Sequence, residues 1–376
     1  MVSWLTERTD SADDENRFGL AEQAIGAIYA LSNHPDIVCS NILKRKTRQT
    51  FQPGKDSRPV SRDSAADRSG LPSPPPEGSA QTVQNSTQAL TQLLFMVGHI
   101  AIKQIVHLEM CELDFKKRKA EREKAKTAGA SPSKSSSIDD QELELIGGTS
   151  EDDFTEAMAH IRERELLYGS DSLLAKFGPL VTEICANNNT YKNEDLQSAA
   201  TLCMAKLMCV SSAYCEKNLP LLITILERSQ NAITRSNVVI ALGDMAVCFN
   251  HLIDENTDFL YRRLNDEDGS VKRTCLMTLT FLILAGQVKV KGQLGEMAKC
   301  LEDSDKRIAD LSRMFFSELA TKDNAIYNHF IDMFSLLSAE TLLEEDEFKR
   351  IIKFLLSFIE KVSEALVFAT GNIRIC

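Results

Sequence analysis

A helical pattern that repeats every 37 or 38 residues constrains the fold of this chain more than any other feature. Leu196, Ile233, Val271 and Ile308 are separated by 37, 38 and 37 residues, and each begins an apolar helical pattern. The positions eight and twelve residues further on are apolar in all four repeats: Met204, Ala241, Leu279 and Phe316, followed by Met208, Met245, Ile283 and Ala320. Residues at these offsets share one face of an α-helix. The pattern therefore predicts four similar helices that each bury one face.

A second series of leucines predicts a partner helix for each repeat. Leu226, Leu264 and Leu301 each lie seven residues before the next repeat begins, and the short polar turns "ERSQNA", "NDEDGS" and "EDSDKR" follow them. Asp and Ser in these turns can cap the following helix. One helix pair cannot bury its apolar faces alone, whereas stacked pairs form a continuous core. The period and the acidic turn before "VKR" are typical of HEAT repeats. We therefore predict an all-α fold, a HEAT-repeat α-solenoid with two disordered linkers.

The composition along the chain predicts six segments. Residues 1–52 form a helical segment of the solenoid, and residues 53–88, rich in Pro, Ser and Gly, form a disordered linker. Residues 89–128 form a long, buried helix with a basic end, and residues 129–157 form a second disordered linker, Ser-rich and then acidic. Residues 158–361 form the HEAT-repeat domain, and residues 362–376 form an atypical tail.

Composition and motifs argue against an enzyme, a metalloprotein or a membrane protein. The sequence contains no GxxxxGK[ST], GxGxxG, GxSxG or HExxH motif. His99 and His107 are about 12 Å apart along a helix, and His107 with Cys111 provides only two ligands. The ten cysteines form no CxxC pair, so we interpret them as small core residues in a reducing compartment. The apolar runs look too short to span a bilayer. We predict no catalytic, cofactor-binding or metal-binding residues.

The net charge of −11 restricts any nucleic-acid contact to local basic segments. The end of the long helix, at Lys116, Lys117, Arg118 and Lys119, is a candidate nuclear-import signal or phosphate contact, or else a solvated helix end with pairs such as Glu121 with Lys117. A candidate basic edge of the repeats consists of Arg262, Arg263, Lys272 and Arg273, which could instead form salt bridges with Asp266 and Asp268. "SPSK" makes Ser131 a candidate phosphorylation site, and Ser73 before a proline is a weaker one.

Several blocks of the sequence resemble a known family. Residues 166–229, beginning "LLYGSDSLLAKFGPLVTEICANNN", and residues 235–286, beginning "RSNVVIALGDMAVCFNHLID", resemble the condensin complex subunit 1 family, the HEAT-repeat, non-SMC subunit of condensin I. Residues 93–124 and 27–45 resemble the segments that precede this block. The family is longer at its N-terminus, and the likeness ends near Lys361. We therefore expect a partial chain that lacks the family's N-terminal region and its true C-terminal tail.

The resemblance implies a regulatory scaffold rather than an enzyme. It implies binding to the kleisin subunit and the SMC ATPase heads of condensin, and engagement of DNA and chromatin during mitotic chromosome condensation. The implied location is the nucleus and mitotic chromosomes, with a cytoplasmic pool. The resemblance implies no cofactor, no membrane and no small-molecule substrate. An alternative is another HEAT-repeat adaptor, such as a transport receptor or a phosphatase scaffold.

Overall fold

The computed structural model describes residues 17–51, 78–127, 151–290, 292–322, 324–341 and 343–371. Every regular element within these ranges is helical, and none of them contains a β-strand. The predicted all-α class is therefore confirmed. The chain divides into two compact units, Met1–Asn218 and Leu219–Cys376, and each unit is described by itself below.

The first unit is built around one long helix. Its helices are α1 (Arg17–Leu31), α2 (Pro35–Phe51), α3 (Gly78–Thr127), α4 (Glu151–His160, continued by a π-helical turn over Ile161–Glu165), α5 (Leu173–Ala186), α6 (Glu194–Met208) and the first part of α7 (Ser212–Arg228). Helices α1, α2 and α6 pack against α3, and α5 packs against α6.

Helix α3 lies at the centre because its middle is apolar on almost every side. Leu93, Leu94 and Val97 are completely buried, as expected for a helix that packs on several neighbours. Gly98 lets α6 approach closely, since a Cβ atom there would lie 3.2 Å from the Cα atom of Cys203. The structure thus contains one long helix here, whose middle is buried.

Two helices begin earlier than the sequence analysis predicted, so the predicted linkers are too long. Helix α3 begins at Gly78 rather than at residue 89, since residues 78–88 contain no proline that would stop the helix. Helix α4 begins at Glu151 rather than at residue 158. Acidic side chains in its first turn stabilise a helix N-terminus, and Phe154 stacks on Phe115 at 4.0 Å between ring centroids. Residues 52–77 and 128–150 lie outside the described residues.

The second unit consists of stacked helix pairs. After the end of α7 it contains α8 (Ala232–Cys248), α9 (Asn250–Asp254), α10 (Asp258–Arg262, then a 3₁₀ turn over Arg263–Asn265), α11 (Gly269–Leu284), α12 (Leu294–Lys299, then a 3₁₀ turn over Cys300–Glu302), α13 (Lys306–Leu319), α14 (Ala325–Ala339) and α15 (Glu345–Gly371). Helix α8 packs on α11 and α11 packs on α13, while α12 packs on α14 and α14 on α15. Equivalent helices of successive repeats are therefore neighbours, which is the stacking that the HEAT-repeat prediction requires.

Each of the helices α8, α11 and α13 begins at a side-chain cap. The side-chain oxygen of Asn231 accepts hydrogen bonds from the backbone N–H groups of Ile233 and Thr234 at 2.9 and 3.1 Å. Asp268 caps α11 and Asp305 caps α13 in the same way. The predicted capping by aspartate is confirmed in these two turns, and an asparagine replaces it in the first.

The caps correct the predicted repeat register by one residue in α8. Ile233 was expected to begin the buried face, but its side chain is 68% exposed, whereas Thr234 is buried. Thr234 lies three residues after its cap, as the buried residues Val271 and Ile308 do after theirs. The cap decides where the helix begins and therefore which side chains face the core. Because Ile233 is the bulkier apolar residue, it misled the count made from apolar positions alone.

Candidate partner-binding surface

A buried ion pair joins the first two repeats of the second unit. Arg235, on α8, donates from Nε and Nη2 to the two carboxylate oxygens of Asp266 at 3.0 and 2.8 Å. The side chains are only 5% and 2% exposed. Nη1 of Arg235 also donates to the carbonyl oxygens of Ser229 and Gln230. The hydrogen bonds with Asp266 raise the pKa of Arg235 above its usual value, so the guanidinium remains charged although it is buried.

The same arrangement recurs one repeat later. Lys272, on α11, lies four residues after its cap, as Arg235 does, and its Nζ contacts Asp303 at 3.0 Å. Asp266 and Asp303 also accept a hydrogen bond from the backbone N–H of the cap two residues on, at 3.0 and 2.8 Å. Each aspartate thus binds its own turn and the preceding repeat. The ends of α8, α11 and α13 are therefore held in one register.

This register aligns three exposed apolar side chains. Ile240, Met277 and Met314 each lie nine residues after the cap of their helix, and they are 48%, 56% and 64% exposed. We call these three residues the apolar row. Phe281, one helical turn after Met277, is also exposed. Side chains of this size usually lie in a core, so an aligned set of them indicates an interaction surface.

Acidic side chains border the apolar row on one side. Asp244 on α8 and Glu318 on α13 occupy the position thirteen residues after the cap, which Phe281 occupies on α11. In the part of the chain that the structure describes, neither carboxylate forms an ion pair. The side chain of Asp244 is exposed, but neighbouring protein atoms displace part of the water around its carboxylate. This partial desolvation raises the pKa of Asp244. A cation placed beside Asp244 would relieve this cost.

The candidate basic edge of the repeats is mostly occupied by ion pairs. Arg262 contacts Glu227 at 3.1 Å, Arg263 contacts Asp266 at 3.3 Å, and Lys272 contacts Asp303 at 3.0 Å. Arg273 is half-buried and forms no ion pair with any residue that the structure describes. Three of the four residues therefore form ion pairs, although only Arg263 pairs with one of the two aspartates named in the sequence analysis.

The candidate basic helix end lies at the end of α3. Lys116 pairs with Glu112 at 2.6 Å and Arg118 pairs with Asp114 at 2.8 Å. Within the described ranges, Lys117 and Lys119 form no ion pair, so the expected pair between Glu121 and Lys117 is not observed. These two lysines are the most available cations of the segment.

Helix α4 runs antiparallel to α3 beside this basic end. Phe154 stacks on Phe115, and the next residue of α4, Thr155, donates to Glu112, which precedes Phe115 on α3, at 3.1 Å. The two helices therefore run in opposite directions. The acidic first turn of α4 therefore lies at the same end of the helix pair as Lys117 and Lys119. The candidate phosphorylation residues Ser131 and Ser73 lie outside the described residues, and phosphorylation stays a prediction.

The histidines of α3 are parts of a packed helix. His99 is buried and parallel to the ring of Phe95, and its Nε2 atom has no hydrogen-bond partner among the described residues. His107 Nε2 lies 3.7 Å from the Sγ atom of Cys111. No group of three His, Cys, Asp or Glu side chains suitable for a metal ion occurs within the described ranges.

Helix α3 also corrects the expectation that no apolar run could span a bilayer. The segment Ser86–Glu121 is long and apolar enough to do so by length and composition alone. Helices α1, α2 and α6 cover much of it within the first unit. A core helix passes the same test, which makes this weak evidence for a membrane span.

The comparisons with known proteins place this arrangement in a family. The chain is 52% identical over 377 residues to condensin complex subunit 1 of Saccharomyces cerevisiae, and the match covers 96% of this chain and 30% of the relative. The chain belongs to the condensin complex subunit 1 family. The relative from Homo sapiens is 38% identical over 354 residues, covering 92% of this chain and 24% of its own length. A family model described as non-SMC mitotic condensation complex subunit 1 matches residues 233–369.

The chain thus spans about a quarter to a third of the condensin subunits that it matches. The family model extends eight residues past Lys361, where the sequence analysis expected the likeness to end, and α15 continues to Gly371. The apolar row lies wholly inside residues 233–369, the region that the family model matches. The periodic pattern of buried apolar positions does not include this row, because the row lies on the exposed face of the three helices. The 37-residue spacing of Ile240, Met277 and Met314 was the available signal.

Proposed function

We propose that this chain is part of a regulatory scaffold subunit of condensin and supports mitotic chromosome condensation. One observation carries the proposal: the identity to condensin complex subunit 1 extends over more than nine tenths of the chain. The stacked helix pairs are consistent with a scaffold, since such arrays present extended surfaces to other proteins. In this proposal the chain acts by binding, and ATP hydrolysis belongs to the SMC partners.

The proposed partners are the kleisin subunit and the SMC ATPase heads, with DNA and chromatin bound within the complex. The proposed location is the nucleus and mitotic chromosomes, with a cytoplasmic pool. For DNA, Lys117 and Lys119 are the best-placed candidates, because neither pairs with a carboxylate among the described residues. Arg273 is the corresponding candidate in the repeats. Five of the eight basic residues in the two candidate sets pair with acidic side chains: Lys116, Arg118, Arg262, Arg263 and Lys272.

Co-expression of the full chain with the kleisin and SMC heads tests the proposal. We expect one complex in size-exclusion chromatography and crosslinks between residues 158–361 and the kleisin or the heads. In the same complex, Lys117→Glu with Lys119→Glu should weaken DNA binding and lower its salt dependence by about two counterions. Lys349→Glu is the matched control, since Lys349 is an exposed lysine already paired with Glu345. A chain that co-purifies with neither partner would refute the proposal.

A further inference from the structure

We propose that the apolar row, Ile240, Met277 and Met314, binds an amphipathic segment of a partner subunit whose basic side chains face Asp244 and Glu318. This inference rests on the proposed function, because it needs a complex that supplies the segment. It adds the location of the surface and the chemistry of its partner.

The spacing of the row fits a single peptide segment. Packed helices lie about 8–10 Å apart, so the row presents one apolar side chain at about that interval on each of three helices. Residues i and i+7 of an α-helix are about 10.5 Å apart and lie on the same face. An amphipathic helix of about 15 residues that crosses α8, α11 and α13 would place three apolar side chains on the row. Phe281 widens the apolar surface next to Met277.

The charges around the row select a basic partner on one side. Asp244 and Glu318 flank Phe281, and no lysine or arginine lies within one helical turn of them on the described part of these helices, apart from Lys322. The Nζ atom of Lys322 donates to the carbonyl oxygen of Leu284. The other side of the row is mixed, because Arg273 lies there together with the Arg313–Asp310 ion pair at 3.0 Å. Lysine or arginine on the segment would therefore face Asp244 and Glu318, where the charge is uncompensated.

The same charges argue against two other occupants. A second copy of this chain, docked face to face with its two-fold axis perpendicular to the row, would bring the two acidic borders together, and like charges oppose such a contact. A nucleic acid would meet carboxylates beside the row, and phosphates need cations. An amphipathic, basic segment of a different protein satisfies both the apolar row and its border.

Photo-crosslinking in the reconstituted complex locates the segment. A photo-crosslinking amino acid is placed at Met277 of the full chain, and the complex with kleisin and SMC heads is irradiated and digested. We expect a crosslinked peptide from a partner subunit, with apolar residues at helical spacing and lysine or arginine on one flank. The control position is Met110, an exposed methionine on α3, which should give no crosslink to that peptide.

Binding of this peptide, synthesised and labelled, then tests the chemistry. Met277→Asp and Met314→Asp should each weaken binding about tenfold, the usual effect of losing an anchor residue. Asp244→Lys with Glu318→Lys should also weaken it at least about tenfold, and less so at high salt. Met110→Asp and Glu345→Lys are the controls and should leave binding unchanged. All these positions are exposed, and circular dichroism verifies that each variant is folded.

Each contrary outcome has one meaning. A complex that assembles without any partner crosslink at Met277 overturns this inference and leaves the proposed function standing. A crosslink to a second copy of this chain, or to a peptide without basic residues, does the same, as does unchanged binding in the aspartate variants. A wild-type chain that joins no complex overturns the proposed function and this inference with it.

Discussion

Removing the carboxylate of Asp266 should destabilise the second unit more than any change at an exposed ion pair. The substitution Asp266→Ala deletes both hydrogen bonds from Nε and Nη2 of Arg235, at 3.0 and 2.8 Å. The two carbonyl contacts of Nη1 and a 3.6 Å contact between Nη2 and the exposed Glu267 remain, and a side chain that is 5% exposed cannot recover water as a partner for Nε. Breaking a buried pair by removing one partner costs about 3–5 kcal/mol.

Hydrogen exchange measured by mass spectrometry is the appropriate assay, because a chain with two compact units need not unfold in one step. A loss of about 3–5 kcal/mol should speed exchange of the most protected α8 and α11 amides about a hundredfold to a few thousandfold. The control is Asp310→Ala, which breaks the exposed pair with Arg313 and should cost at most about 1 kcal/mol.

A double variant separates the buried charge from the contact itself. Arg235→Met with Asp266→Leu removes both charges, and it should recover most of the stability lost in Asp266→Ala. The reasoning is refuted if Asp266→Ala exchanges no faster than Asp310→Ala. It is also refuted if the double variant is less protected than Asp266→Ala.

Two further predictions concern the first unit. Gly98→Ala should lower the melting temperature and reduce the free energy of unfolding by about 1–3 kcal/mol. The added Cβ would lie 3.1 Å from Cδ of Lys206 and 3.2 Å from the backbone of Cys203. Gly26→Ala, with no atom within 4 Å, is the control and should not lower it. Burial lowers the pKa of His99, so the unfolded chain takes up a proton there before the folded chain does. Stability should therefore fall as the pH drops below about 6.5 towards the lower, folded pKa. His99→Phe should flatten this dependence in melts recorded between pH 5 and 8, and an unchanged slope would refute the assignment.

The sequence was sufficient to predict the helical class, the repeat period and the long central helix. Periodicity reports which faces are apolar, and the apolar faces of Val271 and Ile308 are buried as expected. It failed at Ile233, because hydrophobicity alone cannot place a helix start to within one residue. The hydrogen bonds of Asn231 decide that start. A one-residue error is enough to turn a buried position into an exposed one.

Long-range contacts explain the other differences. Helix α4 begins at Glu151 partly because Phe154 stacks on Phe115, which lies 39 residues away in the sequence. A pattern of neighbouring residues cannot predict such a contact. The burial of Arg235 depends on Asp266, which lies 31 residues further along the chain. The paired or unpaired state of the basic candidates depends on neighbours such as Glu227, which lies 35 residues before Arg262.

Asp266 and Asp303 each bind two neighbouring repeats, and these contacts have a mechanical consequence. Each carboxylate is tied to the turn of its own repeat and to a cation on the preceding one. A pull along the second unit would therefore load these side-chain links before it strained the helices, whose backbone hydrogen bonds are far more numerous. The turns would act as stiff hinges, with the bidentate, buried Arg235 link yielding later than the more exposed Lys272 link. Under load, the second unit would therefore begin to extend between α11 and α13.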